Sequence, residues 1–367
     1  MGGVSLPYLL WRYYMQNKMF LNIFDYKDDR YPFQIFIGGR GFGKTYSGYT
    51  GCLGLQETAV VPKKFLWMRR TQKELELMED TEKGEGIGDL KTINNDYGTN
   101  YGFKAINDSL AGVYAREVGE NGKYIYSGTP VGYGIALSTV SSIRGINFSD
   151  CSDWVYDEFI PEKHVKKMKG ECDALLNAYE TINRNREFTG GQPIHLWLLA
   201  NSNDIYNPIF VGLGIVSIAE KMVSSNKKHT YIPDRGLAIH ILPPSREFRE
   251  KKAKTALYKL TNGTEFHDMA LDNTFAYNDF SLIAYRKIQG YIPLCALDNA
   301  YIYKKKGDSE LYVSYSPAKV PIFSSKIAQD VIRFRREYGV TIQPYFVKGH
   351  LIFESYELKE KILQMIL

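Results

Sequence analysis

Residues 38 to 45 read Gly38-Gly39-Arg40-Gly41-Phe42-Gly43-Lys44-Thr45, directly behind the apolar run Phe33-Gln34-Ile35-Phe36-Ile37. A glycine-rich loop between a buried strand and a helix turns successive backbone N–H groups inward around phosphate. Its lysine then reaches the β and γ oxygens, and its threonine hydroxyl holds Mg²⁺. The spacing therefore predicts a site for a nucleoside triphosphate, with the phosphates held by Gly38, Gly39, Arg40, Gly41, Phe42, Gly43, Lys44 and Thr45. The alternative is an ordinary glycine-rich turn with no ligand.

The rest of the chain must build an α/β domain around that loop. At 367 residues the sequence exceeds what one core usually holds, and 44% hydrophobic residues can fill two. With 28 Tyr and 19 Phe, most rings must be core or sheet-face residues, so no single ring is evidence of base stacking. Cys52, Cys151, Cys172 and Cys295 form no Cys-x-x-Cys pair and read as free buried thiols of a reducing cytosol. No stretch has the length of a transmembrane helix. Arg12 and Lys18 interrupt Tyr8 to Phe24, against a signal peptide, so a soluble intracellular protein is expected. A net charge of +5 is mild, and its distribution says more than its size.

Along the chain, an aromatic segment (Tyr8, Trp11, Tyr13, Tyr14, Phe20) precedes the first strand and packs either over an adenine ring or over the sheet. A helix is expected over 46–55, a strand over Lys64 to Arg70, and an N-cap at Thr71 opening a charged surface helix. Alternation over 99–139 predicts a hairpin or meander that feeds the core sheet at its end and is peripheral to the chemistry. A strand ending in Trp154-Val155-Tyr156-Asp157-Glu158, a helix from Ala174 to Asn183, and the apolar run Ile194 to Ala200 complete a P-loop, RecA-like α/β domain with a parallel sheet over 1–235. Residues 236–276 read as a basic helical linker or lid, crowded with Arg246, Arg249, Lys251, Lys252, Lys254 and Lys259. From 277 to 367 short alternating strands (281–285, 300–303, 311–315) and helices near 327–336 and 358–365 predict a small α+β domain.

Asp157-Glu158 supplies the second half of the site. A carboxylate ending a strand beside the phosphate-loop strand can hold Mg²⁺ through water, and the next can orient and deprotonate the attacking water. The pair points to hydrolysis. The charge developing on the γ-phosphoryl group calls for an arginine, often from a neighbouring subunit. Arg144, before the Asp157-Glu158 strand, and Arg184, at the end of the helix after it, are the two candidates, with salt bridging or helix capping as the alternative for each. Asn201 is placed either as a polar sensor of the γ-phosphate or as a turn-forming residue. Basic clusters at Arg69-Arg70 with Lys73, Arg246 to Lys259, Lys304 to Lys306, and Arg333-Arg335-Arg336 suit sequence-blind contact with a DNA backbone or a solvated surface. Arg69 and Arg70, inside the first domain, fit the nucleotide site or a subunit interface better than DNA.

Taken in order from about residue 30 to 275, these motifs resemble those of the genome-encapsidation ATPases of small podoviruses with protein-primed linear DNA, relatives of the large terminases. The resemblance is carried by Ile37 to Thr45, Phe65 to Arg70, Val155 to Ile160, Ala174-Leu175-Leu176-Asn177, Arg184-Asn185-Arg186-Glu187, Asn207-Pro208, Gly263-Thr264-Glu265-Phe266 and Leu271-Asp272-Asn273. It implies a homomeric ring, usually a pentamer, docked in the host cytoplasm on the portal vertex of an empty capsid and pumping double-stranded DNA inward with ATP and Mg²⁺. It implies the portal protein as a partner and, in some relatives, a structural packaging RNA; no membrane is involved. It also implies catalytic roles for Lys44, Asp157 and Glu158, with Arg184 acting in trans and Arg144 as a second trans-acting group. Gln72 stands where the family has a basic residue, so it is assigned no role, and Arg40 either contacts phosphate or braces the interface. The second domain is expected to resemble a ribonuclease H-type nuclease that has lost its metal ligands: Asp298, Asp308, Asp330 and Glu354 form no evident cluster, and no cleavage is expected. The competing readings are another ring-forming P-loop translocase or helicase-like ATPase, and a nucleotide-binding structural module without turnover. A switch or metabolite kinase is disfavoured by the lack of an Asn-Lys-x-Asp stretch.

Overall fold

The strand that delivers the phosphate loop, β1 (Phe33–Gly38), is buried from Gln34 onward, as a strand covered on both faces must be. The structure is a computed structural model and describes residues 19–56, 63–81, 84–86, 88–162, 165, 168–202, 204–264, 266–267, 271, 278–307 and 310–367. Tyr8, Trp11, Tyr13, Tyr14, Glu265, Asp272, Asn273 and Asp308 lie outside the described residues.

After β1 come α1 (Lys44–Cys52), β2 (Lys64–Arg69), α2 (Gln72–Glu76), α3 (Leu90–Tyr97), β3 (Tyr101–Asn107), β4 (Leu110–Val118), β5 (Tyr124–Ala136), β6 (Cys151–Asp157), α4 (Glu171–Asn183) and β7 (His195–Ala200). The chain continues through α5 (Pro208–Leu213), α6 (Val216–Ser224), β8 (His229–Ile232), β9 (Leu237–Leu242), α7 (Arg246–Ala253) and α8 (Ala256–Leu260). The first sheet has nine strands in the order β3-β4-β5-β2-β6-β7-β1-β9-β8. From β5 to β9 the neighbours run parallel, and the antiparallel pairs are confined to the two edges. The expected meander is therefore present, and its last strand lies directly against β2.

Register decides where the chemistry sits. Ile37 pairs with Ala200, Asp157 with Leu199, and Met68 with Tyr156, so β1, β2, β6 and β7 finish at one edge of the sheet. Ligands of open parallel sheets bind in the crevice outside such carboxyl ends. Behind that edge, Tyr49 of α1 stacks on Trp67 of β2 with centroids 3.5 Å apart and planes 11° from parallel. Gly48 makes this approach possible: a Cβ there would stand 3.1 Å from the Trp67 ring. The four cysteines are buried and unpaired with one another.

Two boundaries differ from the sequence reading. Residues 236–276 are not all linker, because β9 is fully buried and pairs in parallel with β1. The run Leu237-Ala238-Ile239-His240-Ile241-Leu242 has the apolar continuity of a central strand, a signal masked by the basic residues that follow. Contacts also divide the chain into two compact units, residues up to 204 with 226–277, and residues 205–225 with 278–367. The segment 205–225, expected in the first domain, belongs to the second unit: Glu220 accepts the Tyr356 backbone N–H at 3.1 Å, and Asn278 accepts that of Ile205 at 3.1 Å.

The second unit carries a five-stranded mixed sheet formed by β10 (Tyr291–Leu297), β11 (Ala300–Lys305), β12 (Leu311–Ser314), β13 (Ile322–Phe323) and β14 (Leu351–Phe353), ordered β13-β10-β11-β12-β14. Helices α9 (Ala328–Phe334), α10 (Val340–Val347) and α11 (Tyr356–Ile366) accompany it. The strand expected over 281–285 is reduced to a single bridge between Ile283 and Phe353. A turn in which the Asp279 carboxylate accepts the Ser281 N–H at 2.8 Å takes its place, with the buried Lys359 ammonium donating to Asp279 and to the Ser281 carbonyl.

Candidate active site

A cavity of about 490 Å³ opens at the carboxyl edge of the parallel sheet and is lined by Phe20, the loop from Arg40 to Tyr46, Asp89, Thr92, Asp96, Asp157, Glu158, Ala200 and Asn201. The loop's shape depends on its glycines. Gly41 and Gly43 have φ of 71° and 100°, and a Cβ on Gly43 would stand 3.1 Å from the Leu21 carbonyl oxygen. With Gly43 as its N-cap, α1 directs its unpaired N–H groups into the cavity.

Lys44 is buried, and its Nζ donates to the carbonyls of Gly38 and Gly39 at 2.9 Å each and to Asn201 Oδ1 at 3.2 Å. Burial lowers its pKa to about 8, against the pull of Asp157. Asn201 therefore does more than form a turn: it holds the loop lysine. Thr45 Oγ1 lies 3.2 Å from both carboxylate oxygens of Asp157. Burial raises Asp157 to about 6 even though the Arg69 cation opposes it. A hydroxyl facing a desolvated carboxylate is the donor set of a hard divalent cation, and a desolvated lysine under a glycine cradle suits phosphate. The residues present fit both groups.

Glu158 follows with φ of 56°, a left-handed conformation that costs a non-glycine residue roughly 1–2 kcal/mol. Its side chain is half exposed at the cavity mouth. Arg69, the last residue of β2, bridges the two carboxylates: Nη1 is 3.0 Å from Asp157 Oδ2, and Nη2 is 2.5 Å from Glu158 Oε2. Arg69 thus belongs to the site. Arg70 does not, because its guanidinium is buried 3.0 Å from Glu171, which also accepts from the Tyr156 hydroxyl.

Arg40 forms an ion pair with Glu162 at the rim, and its Nε is buried without a hydrogen-bond partner. The basic connector also reaches the loop. Phe248 of α7 packs edge-on against Phe42 and Phe20, at 5.7 and 5.6 Å, while Lys252 Nζ donates to the Arg40 main-chain oxygen.

The two arginine candidates lie elsewhere. Arg184 and Arg144 are exposed and do not line the cavity of their own chain. Arg184 caps α4 with φ of 47°, on a mount fixed by its neighbours. Arg186 donates to the carbonyls of Cys151 and Phe148 at 2.5 and 2.6 Å, and Asn183 donates to Glu187 at 2.7 Å. Arg144 ends the 3₁₀ turn Leu137–Ile143.

Sequence reading missed α3, which supplies Asp89, Thr92 and Asp96 to one cavity wall, with the Tyr46 hydroxyl donating to Asp96 at 2.7 Å. Leu90, Ile93, Asn94 and Tyr97 carry a helical spacing that could have revealed it. In the second unit, Asp298 and Asp330 accept the backbone N–H groups of Ser325 and Ser324, while Glu354 accepts from Ser314 and Tyr315. Among the described residues no group of three or more His, Cys, Asp or Glu is arranged to hold a metal, and no helix is long and apolar enough to cross a membrane.

A family model described as podovirus DNA encapsidation protein (Gp16) matches residues 99–310, more than half of the chain. The DNA packaging protein of Bacillus phage phi29 is 28% identical over 241 residues, covering 65% of this chain and 60% of the relative. That of Bacillus phage B103 is 29% identical over 241 residues, covering 65% and 63%. The chain thus matches about three-fifths of the length of these relatives. Solved structures share its fold as well. That of the bacteriophage Phi-29 viral genome packaging motor assembly has a TM-score of 0.61 and 19% identity, covering 95% of this chain and 100% of the other. That of the Phi-28 gp11 DNA packaging motor has a TM-score of 0.56 and 20% identity, covering 96% and 98%.

Proposed function

Starting from the chain's membership of the podovirus DNA encapsidation protein family, we propose that it is the ATPase of a viral genome-packaging motor, coupling ATP hydrolysis to movement of double-stranded DNA into a preformed capsid. The observation that carries this reading is the convergence of Lys44, Thr45, Asp157, Glu158 and Asn201 on one cavity. The names of the relatives, packaging proteins and packaging motors, support the choice of DNA as the cargo.

In this reading Lys44 binds the β- and γ-phosphates, exchanging neutral carbonyl acceptors for charged oxygens. Thr45 and Asp157 would hold Mg²⁺, which would supply charge neutralisation at the phosphates when bound. Glu158 orients the attacking water and takes its proton, and its exposed position at the cavity mouth gives water access. Arg69 sets the orientation of both carboxylates. The charge at the γ-phosphoryl group is met in trans by Arg184 of the adjacent subunit, with Arg144 as the second group; their outward placement supports a partner's site over their own.

The same reading gives a homomeric ring, a pentamer as in the family, seated on the portal at the capsid vertex in the host cytoplasm, with a packaging RNA where relatives use one. The domains are a P-loop ATPase domain, a basic lid, and a C-terminal domain of vestigial ribonuclease H type. This reading assigns that domain no nuclease chemistry.

The test is ATP turnover by the purified chain with and without double-stranded DNA. Turnover stimulated by DNA and lost in Glu158→Gln is expected. Turnover indifferent to DNA would point to a switch or kinase, and no Glu158-dependent turnover to a structural nucleotide-binding module.

A further inference from the structure

The basic connector is expected from sequence to face DNA or solvent, yet Lys252 of α7 points into the phosphate loop. Its Nζ donates to the main-chain oxygen of Arg40, and a Cβ placed on Gly41 would stand 3.7 Å from it. The ring centroids of Phe248 and Tyr258 lie 5.0 Å from the same atom, so the ammonium sits among a carbonyl and two aromatic faces.

The helix that carries it is tied to the loop at its other end as well. Ser245, the N-cap of α7, accepts from the Phe248 N–H at 3.2 Å and donates to the Met19 carbonyl at 3.0 Å. Phe248 is buried against Phe42, inside the loop. A change at Lys252 is therefore carried into α7 and not absorbed by a loose side chain.

Three cations converge here. Lys44 lies within the cavity, Arg40 is at its rim, and Lys252 is at the loop's apex. Burial, followed by the charge of Arg40, lowers the Lys252 ammonium to about 8, and Lys252 in turn acts to lower Lys44. An anion at the loop relieves this repulsion: Arg40 and Gly41, which Lys252 touches, line the cavity, although Lys252 itself does not.

We propose that Lys252 is a positioning residue that exchanges the Arg40 carbonyl for an oxygen of the terminal phosphate, so that α7 reads whether the bound nucleotide carries a γ-phosphate. The driving force is the replacement of a neutral acceptor by a charged one, which makes a hydrogen bond roughly twice as strong. The inference rests on the nucleotide reading of the cavity, and goes beyond it in assigning a cation that discriminates triphosphate from diphosphate within one chain.

The test is calorimetric binding of a non-hydrolysable ATP analogue and of ADP, each with Mg²⁺, to the full chain. Lys252→Met is expected to weaken the triphosphate analogue by at least tenfold and ADP by less than threefold. Lys252→Gln is the decisive variant, because its amide N–H can still brace the Arg40 carbonyl but brings no charge. It should behave like Lys252→Met, while Lys252→Arg should keep the preference. If Lys252→Gln binds both nucleotides like the wild type, or if Lys252→Met weakens both equally, Lys252 is a brace and the proposal is wrong. A wild-type chain that binds neither nucleotide would overturn the nucleotide site itself and this proposal with it.

Discussion

Arg69 Nη1 stands 3.0 Å from Asp157 Oδ2, and the two side chains are 17% and 4% exposed. This cation is what permits a carboxylate so deeply desolvated to stay charged near neutral pH. Removing one partner of a buried pair strands the other, at a cost of about 3–5 kcal/mol. Arg69→Ala should therefore lower unfolding stability in urea by about 3 kcal/mol, and adding Asp157→Asn should recover more than half of that loss. Strictly additive losses in the double-mutant cycle would show that the pair is not coupled.

His240 sets a second prediction. It is buried on β9 between Phe36 and Tyr26, its Nδ1 is 2.9 Å from His229 Nδ1, and burial lowers its pKa to about 3. The ordinary value is about 6.5, so between pH 3 and 6.5 the unfolded chain binds more protons than the folded one. Stability from this group is complete above about pH 6.5 and falls as pH drops through that window, by at most about 1.4 kcal/mol per unit. Denaturant unfolding of His240→Phe between pH 4 and 6 should show a shallower slope than the wild type. Parallel slopes would mean that His240 is not the responsible group.

Glu158 combines strain with function. Its φ of 56° favours glycine, and its side chain is half exposed, so Glu158→Gly should raise unfolding stability by about 1 kcal/mol. Glu158→Gln keeps the strain and should leave stability within about 0.5 kcal/mol of the wild type. Both should lose about 10²-fold or more in turnover. A Glu158→Gly chain less stable than Glu158→Gln would contradict the strain.

The phosphate loop, β2, β6, β7, α4 and the Asp157-Glu158 pair were legible because each rests on local rules: glycine spacing, apolar runs and helix periodicity. Roles set by tertiary register were not. Arg69 and Arg70 are adjacent and chemically alike, yet at the end of β2 one side chain meets Asp157 and Glu158 and the next is buried against Glu171. Strand β9 was hidden by the basic residues after it, and the transfer of 205–225 to the second unit depends on partners 73 and 136 positions away, Asn278 for Ile205 and Tyr356 for Glu220. The reach of α7 back to Arg40 is likewise non-local, since nothing in the Arg246 to Lys259 run distinguishes Lys252 from its neighbours.

The central claim is that each chain carries a hydrolytic site finished by the next. The most direct measurement is ATP turnover in mixtures of Glu158→Gln and Arg184→Ala subunits at varied ratios. Glu158→Gln supplies an intact Arg184, and Arg184→Ala an intact Glu158, so mixed assemblies should regain turnover that neither variant shows alone. Turnover no greater than the sum of the separate variants at every ratio, or an Arg184→Ala chain as active as the wild type, would contradict it.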